Sequence, residues 1–210
     1  MIQANDISLQ NFLVKIEFLE TVKVLDGKLY HLAYHQQRYE RTLRSFGIEN
    51  FIQLKDILRP PHQGLYRCRV LYSTDGELTQ SYHQYKKRNI KSLKLIESDT
   101  IVYDKKYADR EALERLFAKK EACDDILMVR DGLVTDTTIA NIACFDGALW
   151  LTPKKPLLAG TTRQRLIESG FLKEEDIFAE SLNRFEKLAI MNAMIDFDII
   201  ADKKIEEIIC

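Results

Sequence analysis

The sequence is poor in the features that define several large classes of protein. Its 210 residues include only 4 cysteines and 4 prolines, and no two cysteines have the CxxC spacing of a zinc knuckle or a redox pair. We therefore expect reduced thiols and no metal site. No stretch approaches the ~18 consecutive apolar residues of a membrane span, and the opening MIQANDISLQNF has no basic stretch leading into an apolar run. These absences predict a cytoplasmic protein that does not bind membranes.

The sequence also lacks an excess of either positive or negative charge. The chain has 31 lysines and arginines against 32 aspartates and glutamates, with a pI near 6.4. Because binding of a nucleic acid requires a basic surplus or stripe, we do not expect a nucleic-acid partner. The length suffices for one large domain or two small ones around a substantial core.

Strands are indicated by alternating apolar and polar residues around Asp-Gly pairs. Because Asp-Gly suits the tight turn between antiparallel strands, each pair predicts a hairpin. The turns are Asp26-Gly27, Asp75-Gly76, Asp131-Gly132 and Asp146-Gly147. The first predicted strand begins at Leu13, and further β structure is expected from Ile90 to Val102.

Apolar residues at helical spacing occur between the hairpins. Helices are predicted at 32–47, 51–58, 108–122, 161–170 and 182–194. Glycines at 47 and 170 are placed to end two of them. The pattern predicts an α+β protein with an N-terminal domain at 1–103 and a C-terminal, β-rich domain at 104–210. The boundary is expected near Tyr103 to Lys106.

A pair of lysines at the predicted domain junction is the first candidate site. Lys105 and Lys106 follow a predicted strand in YDKKYADR. Most lysines are exposed, so a solvated basic corner is the ordinary explanation. A partly desolvated lysine, however, has a lowered pKa and can attack a carbonyl to form an imine.

Two further clusters could hold charged groups. Gly160, Thr161 and Thr162 precede a predicted helix, where free backbone N–H groups either bind phosphate or are simply capped by threonine. Asp136 follows a strand in VTDTTIAN, close to Asn141. Its carboxylate is either a turn residue or the partner of a buried cationic nitrogen.

The order of these three clusters resembles the class IV aminotransferases, the fold-type IV group of pyridoxal 5'-phosphate enzymes. This group comprises branched-chain and D-amino-acid aminotransferases and aminodeoxychorismate lyase. The likeness extends from about Phe18 to about Ile200 and is carried by FLETVKVLDGKLYHLAYHQQRYERT, YDKKYADR, DDILMVRDGLVTDTTIANIACFDGALWLTP and LLAGTTRQRL. It implies a small N-terminal α/β sandwich and a C-terminal pseudo-barrel of mainly antiparallel strands with helices.

The resemblance also implies a role for each matched residue. Lys106, followed by Asp109-Arg110 where the lyase branch has Asn-Arg at the same spacing, would form a Schiff base with pyridoxal 5'-phosphate. Asp136, where the family usually has glutamate, would pair with the protonated pyridine nitrogen. The expected phosphate-binding and neighbouring cofactor-binding residues are Arg38 of the HxxR pattern, Thr161, Thr162, Asn192 and Ala193. Arg69 and Arg110 are the candidates for contacts with the substrate.

The implied function is that of an aminodeoxychorismate lyase-like enzyme, which releases 4-aminobenzoate and pyruvate from a small amino substrate. A D-amino-acid or branched-chain aminotransferase is the alternative, and a homologue that binds the cofactor without turnover is another. A homodimer is implied by the resemblance alone. A metal-dependent hydrolase using His31 and His35 is not favoured, because no HExxH-type base accompanies them and two exposed helix histidines are the commoner outcome.

Overall fold

A four-stranded antiparallel sheet is built from the first two predicted hairpins. The computed structural model describes residues 15–202 and 205–210, so the predicted start of the first strand at Leu13 lies outside the described residues. The strands are β1 (Glu17–Leu25), β2 (Lys28–Leu29), β3 (Leu65–Ser73) and β4 (Leu78–Gln84), in the order β2-β1-β3-β4. Alternation along β1 and β3 places Val22, Val24 and Val70 on one face, where they pack with Leu54 and Leu58.

Two helices accompany this first sheet. They are α1 (Leu32–Arg44) and the single turn α2 (Leu54–Ile57). The prediction for α1 is confirmed, and Gly47 takes a positive φ of 75° just after the helix, as a terminating glycine does. The predicted helix at 51–58 is only four residues long.

The second sheet contains the remaining strands and most of the core. They are β5 (Leu93–Glu97), β6 (Asp125–Arg130), β7 (Leu133–Thr137), β8 (Asn141–Phe145), β9 (Trp150–Pro153), β10 (Leu172–Glu175), β11 (Lys187–Asn192) and β12 (Asp196–Ala201). Their order is β10-β9-β8-β7-β6-β5, and β11 pairs with both β8 and β12. Helices α3 (Glu111–Phe117) and α4 (Thr161–Glu168) accompany this sheet.

The prediction of a helix at 182–194 is wrong. A 3-10 helix at Ala179–Arg184 is followed by strand β11, which pairs antiparallel with β8 and β12. Residues Leu188 to Met191 are all buried. Because a strand that is covered on both faces has no alternation, its apolar run is indistinguishable from part of a buried helix.

The stretch from Ile90 to Val102 was predicted to continue the β structure of the first half, but the chain has already left the first sheet there. Only Leu93–Glu97 forms a strand there, and it pairs parallel with β6 of the second sheet. The first sheet ends at Gln84. The division into domains at residue 103 stays a prediction.

The cysteines differ from the expected set of reduced thiols. Cys123 and Cys210 form a disulfide, with Cα atoms 6.5 Å apart, whereas Cys68 and Cys144 are free and buried. Cys210 lies in a C-terminal segment that bonds to β5 through the Leu93 backbone, so residues 87 positions apart in the sequence meet there. Sequence spacing gave no signal of this pairing. None of the helices within residues 15–202 and 205–210 has the length and apolar composition of a membrane span.

Candidate active site

A cavity of about 580 Å³ contains all the residues predicted to act. Its walls include parts of α1, β1, β3, β4 and β7, the segment before α3, the start of α4 and the end of β11. The predicted residues in its wall are Arg38, Arg69, Lys106, Arg110, Asp136, Thr161, Thr162, Asn192 and Ala193. Their individual roles stay predictions, but the fold brings them together from positions far apart in the sequence.

Lys106 is fixed by its backbone against the first sheet. Its carbonyl accepts a hydrogen bond from Leu19 N of β1 (2.8 Å), and Ala108 N donates to Glu17 O (2.9 Å). Burial, together with the charges of Arg38 and Arg110, lowers the pKa of the Lys106 amine to about 7, against the opposing effect of Glu20. A large fraction of this amine is therefore neutral and nucleophilic near neutral pH.

The neighbouring Lys105 has different surroundings. Its Nζ donates to the Asp104 carboxylate at 2.8 Å, and this bond raises the pKa of Lys105. It is absent from the wall of the large cavity and lines a smaller one of about 210 Å³. Of the two adjacent lysines, only Lys106 combines a lowered pKa with access to the large cavity.

A buried carboxylate holds Arg38 in place. Glu20 of β1 is fully buried and accepts hydrogen bonds from Arg38 Nε at 2.7 Å and Arg38 Nη2 at 2.6 Å. His35 Nδ1 lies 2.6 Å from the same carboxylate. Burial alone would raise the pKa of Glu20. The Arg38 charge and these hydrogen bonds outweigh burial and lower it to about 2. The bidentate pair orients the guanidinium and leaves its Nη1 out of these bonds.

His31 and His35 do not behave as the expected pair of exposed histidines. His35 is buried against Glu20, and burial lowers its pKa, whereas His31 is exposed at the N-cap of α1. Within the described part of the chain, no group of three or more His, Cys, Asp or Glu side chains is arranged to hold a metal ion.

Asp136 presents a buried carboxyl group at the end of β7. Its Oδ1 accepts from Asn141 Nδ2 and its Oδ2 from Leu158 N, both at 2.8 Å. Burial raises the pKa of Asp136 to about 7, although these hydrogen bonds act in the opposite direction. Such a carboxyl group ionises more readily if a cation approaches it, so it is suited to pair with a protonated nitrogen.

The first turn of α4 provides an anion-binding end. Gly160 is its N-cap in an extended conformation, and Thr161 and Thr162 are its buried first residues. Their backbone N–H groups precede the first intrahelical hydrogen bond, Gln164 N to Gly160 O (2.9 Å). These free donors and the positive end of the helix dipole favour a phosphate.

Asn192 and Arg110 both have structural partners. Asn192 Oδ1 accepts from Met194 N and Ile195 N at 2.9 and 3.1 Å, so the side chain shapes the turn that contains Ala193. Arg110 Nη2 donates to Thr138 O at 2.8 Å. The Oδ1 of Asn192 is thus occupied by its own turn, and its Nδ2 donates to Ile139 O at 3.1 Å. Arg110 is anchored at the edge of the cavity.

Two arginines of β3 reach the cavity without such partners. Arg67 and Arg69 point to the same side of the strand, and neither forms an ion pair within the described part of the chain. The Nε of Arg67 is buried and lacks a hydrogen-bond partner there. Sequence reasoning found Arg69 but missed Arg67, although its position two residues earlier in a predicted strand places it on the same face.

Glu20 is the other residue that sequence reasoning missed. It alternates with Phe18, Val22 and Val24, which are all buried. A single carboxylate among the inward positions of a strand was the available signal, because a buried charge requires a partner. That partner, Arg38, lies in the next helix.

A lysine of lowered pKa, a buried carboxyl group and the N-terminal end of a helix meet in this cavity. The chain matches the family model for amino-transferase class IV over residues 17–200. It therefore belongs to the class IV aminotransferase family and is an enzyme of that family.

The chain is also similar to individual proteins. The chain is 36% identical over 181 residues to an uncharacterized protein of Haemophilus influenzae, covering 83% of this chain and 96% of that protein. It is 29% identical over 199 residues to a candidate aminodeoxychorismate lyase of Schizosaccharomyces pombe, covering 80% and 82% respectively. The crystal structure of a candidate 4-amino-4-deoxychorismate lyase of Haemophilus somnus matches with a TM-score of 0.79 at 34% identity, covering 85% of this chain and 96% of that one. The predicted α+β fold class is confirmed.

Proposed function

We propose that this chain is a pyridoxal 5'-phosphate enzyme acting on a small amino substrate, and that it is aminodeoxychorismate lyase-like, releasing 4-aminobenzoate and pyruvate. The observation that carries the proposal is the Lys106 amine, whose pKa of about 7 suits attack on an aldehyde at neutral pH. The relatives named as candidate lyases support the choice of reaction.

The residues present fit each functional group of this cofactor. Lys106 is the amine that would bond to its aldehyde. Asp136 is the carboxyl group that would hold a proton on its ring nitrogen, and its raised pKa would fall toward the usual range beside that cation. Arg38, Thr161 and Thr162 would bind its phosphate, because the guanidinium is fixed by Glu20 and the helix end has free N–H groups.

When bound, the cofactor supplies an electron sink for the bonds at the substrate Cα. The chain contributes binding, orientation and proton transfer. The amine of Lys106, once released to act as a base, would move a proton at the substrate Cα. The pKa that makes the amine a nucleophile near pH 7 also matches it to this second task.

The charge of the cavity favours the lyase substrate over a branched-chain amino acid. Arg67 lies directly opposite Lys23 in the sheet, an arrangement of like charges that is unfavourable unless an anion lies close by. Arg67 and Arg69 both reach the cavity, and the buried Nε of Arg67 has no hydrogen-bond partner among the described residues. Aminodeoxychorismate has two carboxylates to offer them, whereas a branched-chain amino acid has one and an apolar side chain.

Borohydride reduction of the cofactor-loaded protein tests the cofactor bond. We expect stable labelling at position 106, found by mass spectrometry, and loss of the visible absorption band in Lys106→Ala. The matched control is Lys105→Ala, which should keep both the band and the label. A label on another lysine, or none, would overturn the proposed site.

The reaction needs a separate experiment. Purified protein supplied with aminodeoxychorismate should release pyruvate in proportion to 4-aminobenzoate, and it should give no sustained amino transfer from D-amino or branched-chain amino acids to 2-oxoglutarate. Sustained transfer would favour the aminotransferase alternative. Cofactor binding without turnover of any amine would identify a homologue that has lost activity.

A further inference from the structure

Asn141 and Gly160 make a close contact that the roles above do not explain. Asn141 is the first residue of β8 and is 6% exposed. Its Nδ2 donates to Asp136 Oδ1 and to Leu158 O, each at 2.8 Å. Its Oδ1 occupies the position that a Cβ on Gly160 would need.

We propose that Asn141 is a positioning residue that fixes the Asp136 carboxylate and the first turn of α4 together, and that residue 160 is glycine to admit the Asn141 amide. The inference rests on the proposed function, because these are the two groups that would hold opposite ends of the cofactor.

Three hydrogen bonds close a ring through Asn141. Asp136 receives one bond from the Asn141 side chain and one from Leu158 N, and Leu158 O receives the third from Asn141. Leu158 lies two residues before Gly160. The loop that leads into α4 is therefore tied to the ends of β7 and β8 and cannot shift without moving the carboxylate.

The space at residue 160, and not its backbone, requires glycine. Gly160 has φ −71° and ψ 145°, which any residue adopts. A methyl group there would overlap Asn141 Oδ1. Replacement by alanine would therefore displace the amide, and with it the donor to Asp136.

The carboxyl group itself reports on this contact. Burial raises the pKa of Asp136, and the hydrogen bond from Asn141 is one of the interactions that lower it. Loss of this donor should raise the pKa of Asp136 further and leave more of the carboxyl group protonated at neutral pH.

A double-mutant cycle tests the inference with Asn141→Ala, Gly160→Ala and the two combined. The readouts are the dissociation constant for pyridoxal 5'-phosphate and the pKa of Asp136, followed by ¹³C NMR of the cofactor-free protein. Each single variant should weaken binding by roughly tenfold or more, the loss expected for one hydrogen bond to a charged group. Asn141→Ala should also raise the pKa of Asp136. The control Asn183→Ala, at an exposed asparagine, should change neither.

The combined variant separates contact from general damage. If Gly160→Ala acts by displacing Asn141, it should cost nothing further in the Asn141→Ala background. Folding of the combined variant where Gly160→Ala alone fails to fold would give the same answer. Additive losses in the combined variant would overturn the inference. So would failure of both Gly160→Ala and the combined variant to fold, or an unchanged pKa of Asp136 in Asn141→Ala. Failure of the native protein to bind the cofactor would instead refute the proposed function, and the NMR titration would still test the contact.

Discussion

A lysine loses its charge most readily where water is excluded and other cations lie nearby, and Lys106 has both conditions. Burial and the charges of Arg38 and Arg110 lower its pKa to about 7. The folded state therefore binds fewer protons than the unfolded state between pH 7 and the ordinary lysine value of 10.5. The contribution of Lys106 to the free energy of unfolding should rise as the pH rises through this window.

The reactivity of the amine gives a direct test of this pKa. In competitive labelling of the cofactor-free protein with trace acetic anhydride, modification of Lys106 should be half-maximal near pH 7. Lys105 is the internal control, because its bond to Asp104 raises its pKa and should delay labelling to the range of ordinary lysines or above. Mass spectrometry distinguishes the two positions. Labelling of both lysines over the same pH range would contradict the assignment.

Glu20 should be a large contributor to stability. Glu20→Gln leaves the buried Arg38 without its counter-charge, and loss of one member of a buried pair costs about 3–5 kcal/mol in the free energy of unfolding. Urea unfolding would measure the loss. Glu17→Gln, at an exposed residue of the same strand, is the matched control and should change stability by less than about 0.5 kcal/mol.

The pH dependence of that loss has a definite sign. The pKa of Glu20 is lowered from 4.5 to about 2 in the folded protein, so its stabilisation is complete above pH 4.5 and disappears as the pH falls toward 2. The difference between native protein and Glu20→Gln should therefore shrink in acid. A constant difference from pH 7 to pH 3 would show that lost packing, and not lost charge, causes the effect.

Sequence identified the candidate site better than it identified the contacts that support it. Lys106, Asp136 and the Gly-Thr-Thr turn were singled out because each belongs to a short local pattern, and the order of the three patterns, through the family resemblance, assigned their expected roles. Glu20 and Arg67 act across strands and helices, and pairing in space leaves no local pattern. For both residues, the available signal was a charged side chain at a strand position whose face could be assigned from the alternation of its neighbours.

At the level of elements, helix α4 supports a prediction about phosphate. Thr162→Val keeps the shape of the side chain but removes its hydroxyl from the buried first turn. We expect binding of pyridoxal 5'-phosphate to weaken by roughly tenfold, the value of a hydrogen bond to a charged group. Binding of pyridoxal, which has no phosphate, should change little. Equal losses for the two compounds would show that Thr162 supports the fold and not the phosphate.

The elements that sequence predicted well are those bounded by strong local signals. Asp131-Gly132, for example, has positive φ at both residues and joins β6 to β7 as expected. Strand β11 was missed because Leu188 to Met191 are all buried and apolar, so the segment lacks the apolar-polar alternation that indicates a strand. Its identity is decided by β8 and β12, which lie on either side of it in the sheet, and this tertiary context cannot be read from periodicity.

At the scale of the whole molecule, the homodimer implied by the family resemblance remains to be tested. Val102 is 73% exposed although it is a large apolar residue, and it lies next to Tyr103, which is buried in the cavity wall. Burial of such a side chain would be favourable by about 1.5–3 kcal/mol. We propose, on the family resemblance, that two copies of the chain associate, and Val102, the most exposed large apolar residue in the described part of the chain, is the first position at which to test the contact.

Light scattering in line with size exclusion would test this proposal. The native protein should have twice the 24.5 kDa mass of one chain, and Val102→Glu should shift it toward the monomer because a charge buried in an apolar contact is costly. Ile199→Glu, at another exposed apolar residue, is the matched control and should remain dimeric. If Val102→Glu remains dimeric and Ile199→Glu does not, the contact lies on the β12 side of the molecule. A native monomer with full activity would show that this chain completes its active site alone.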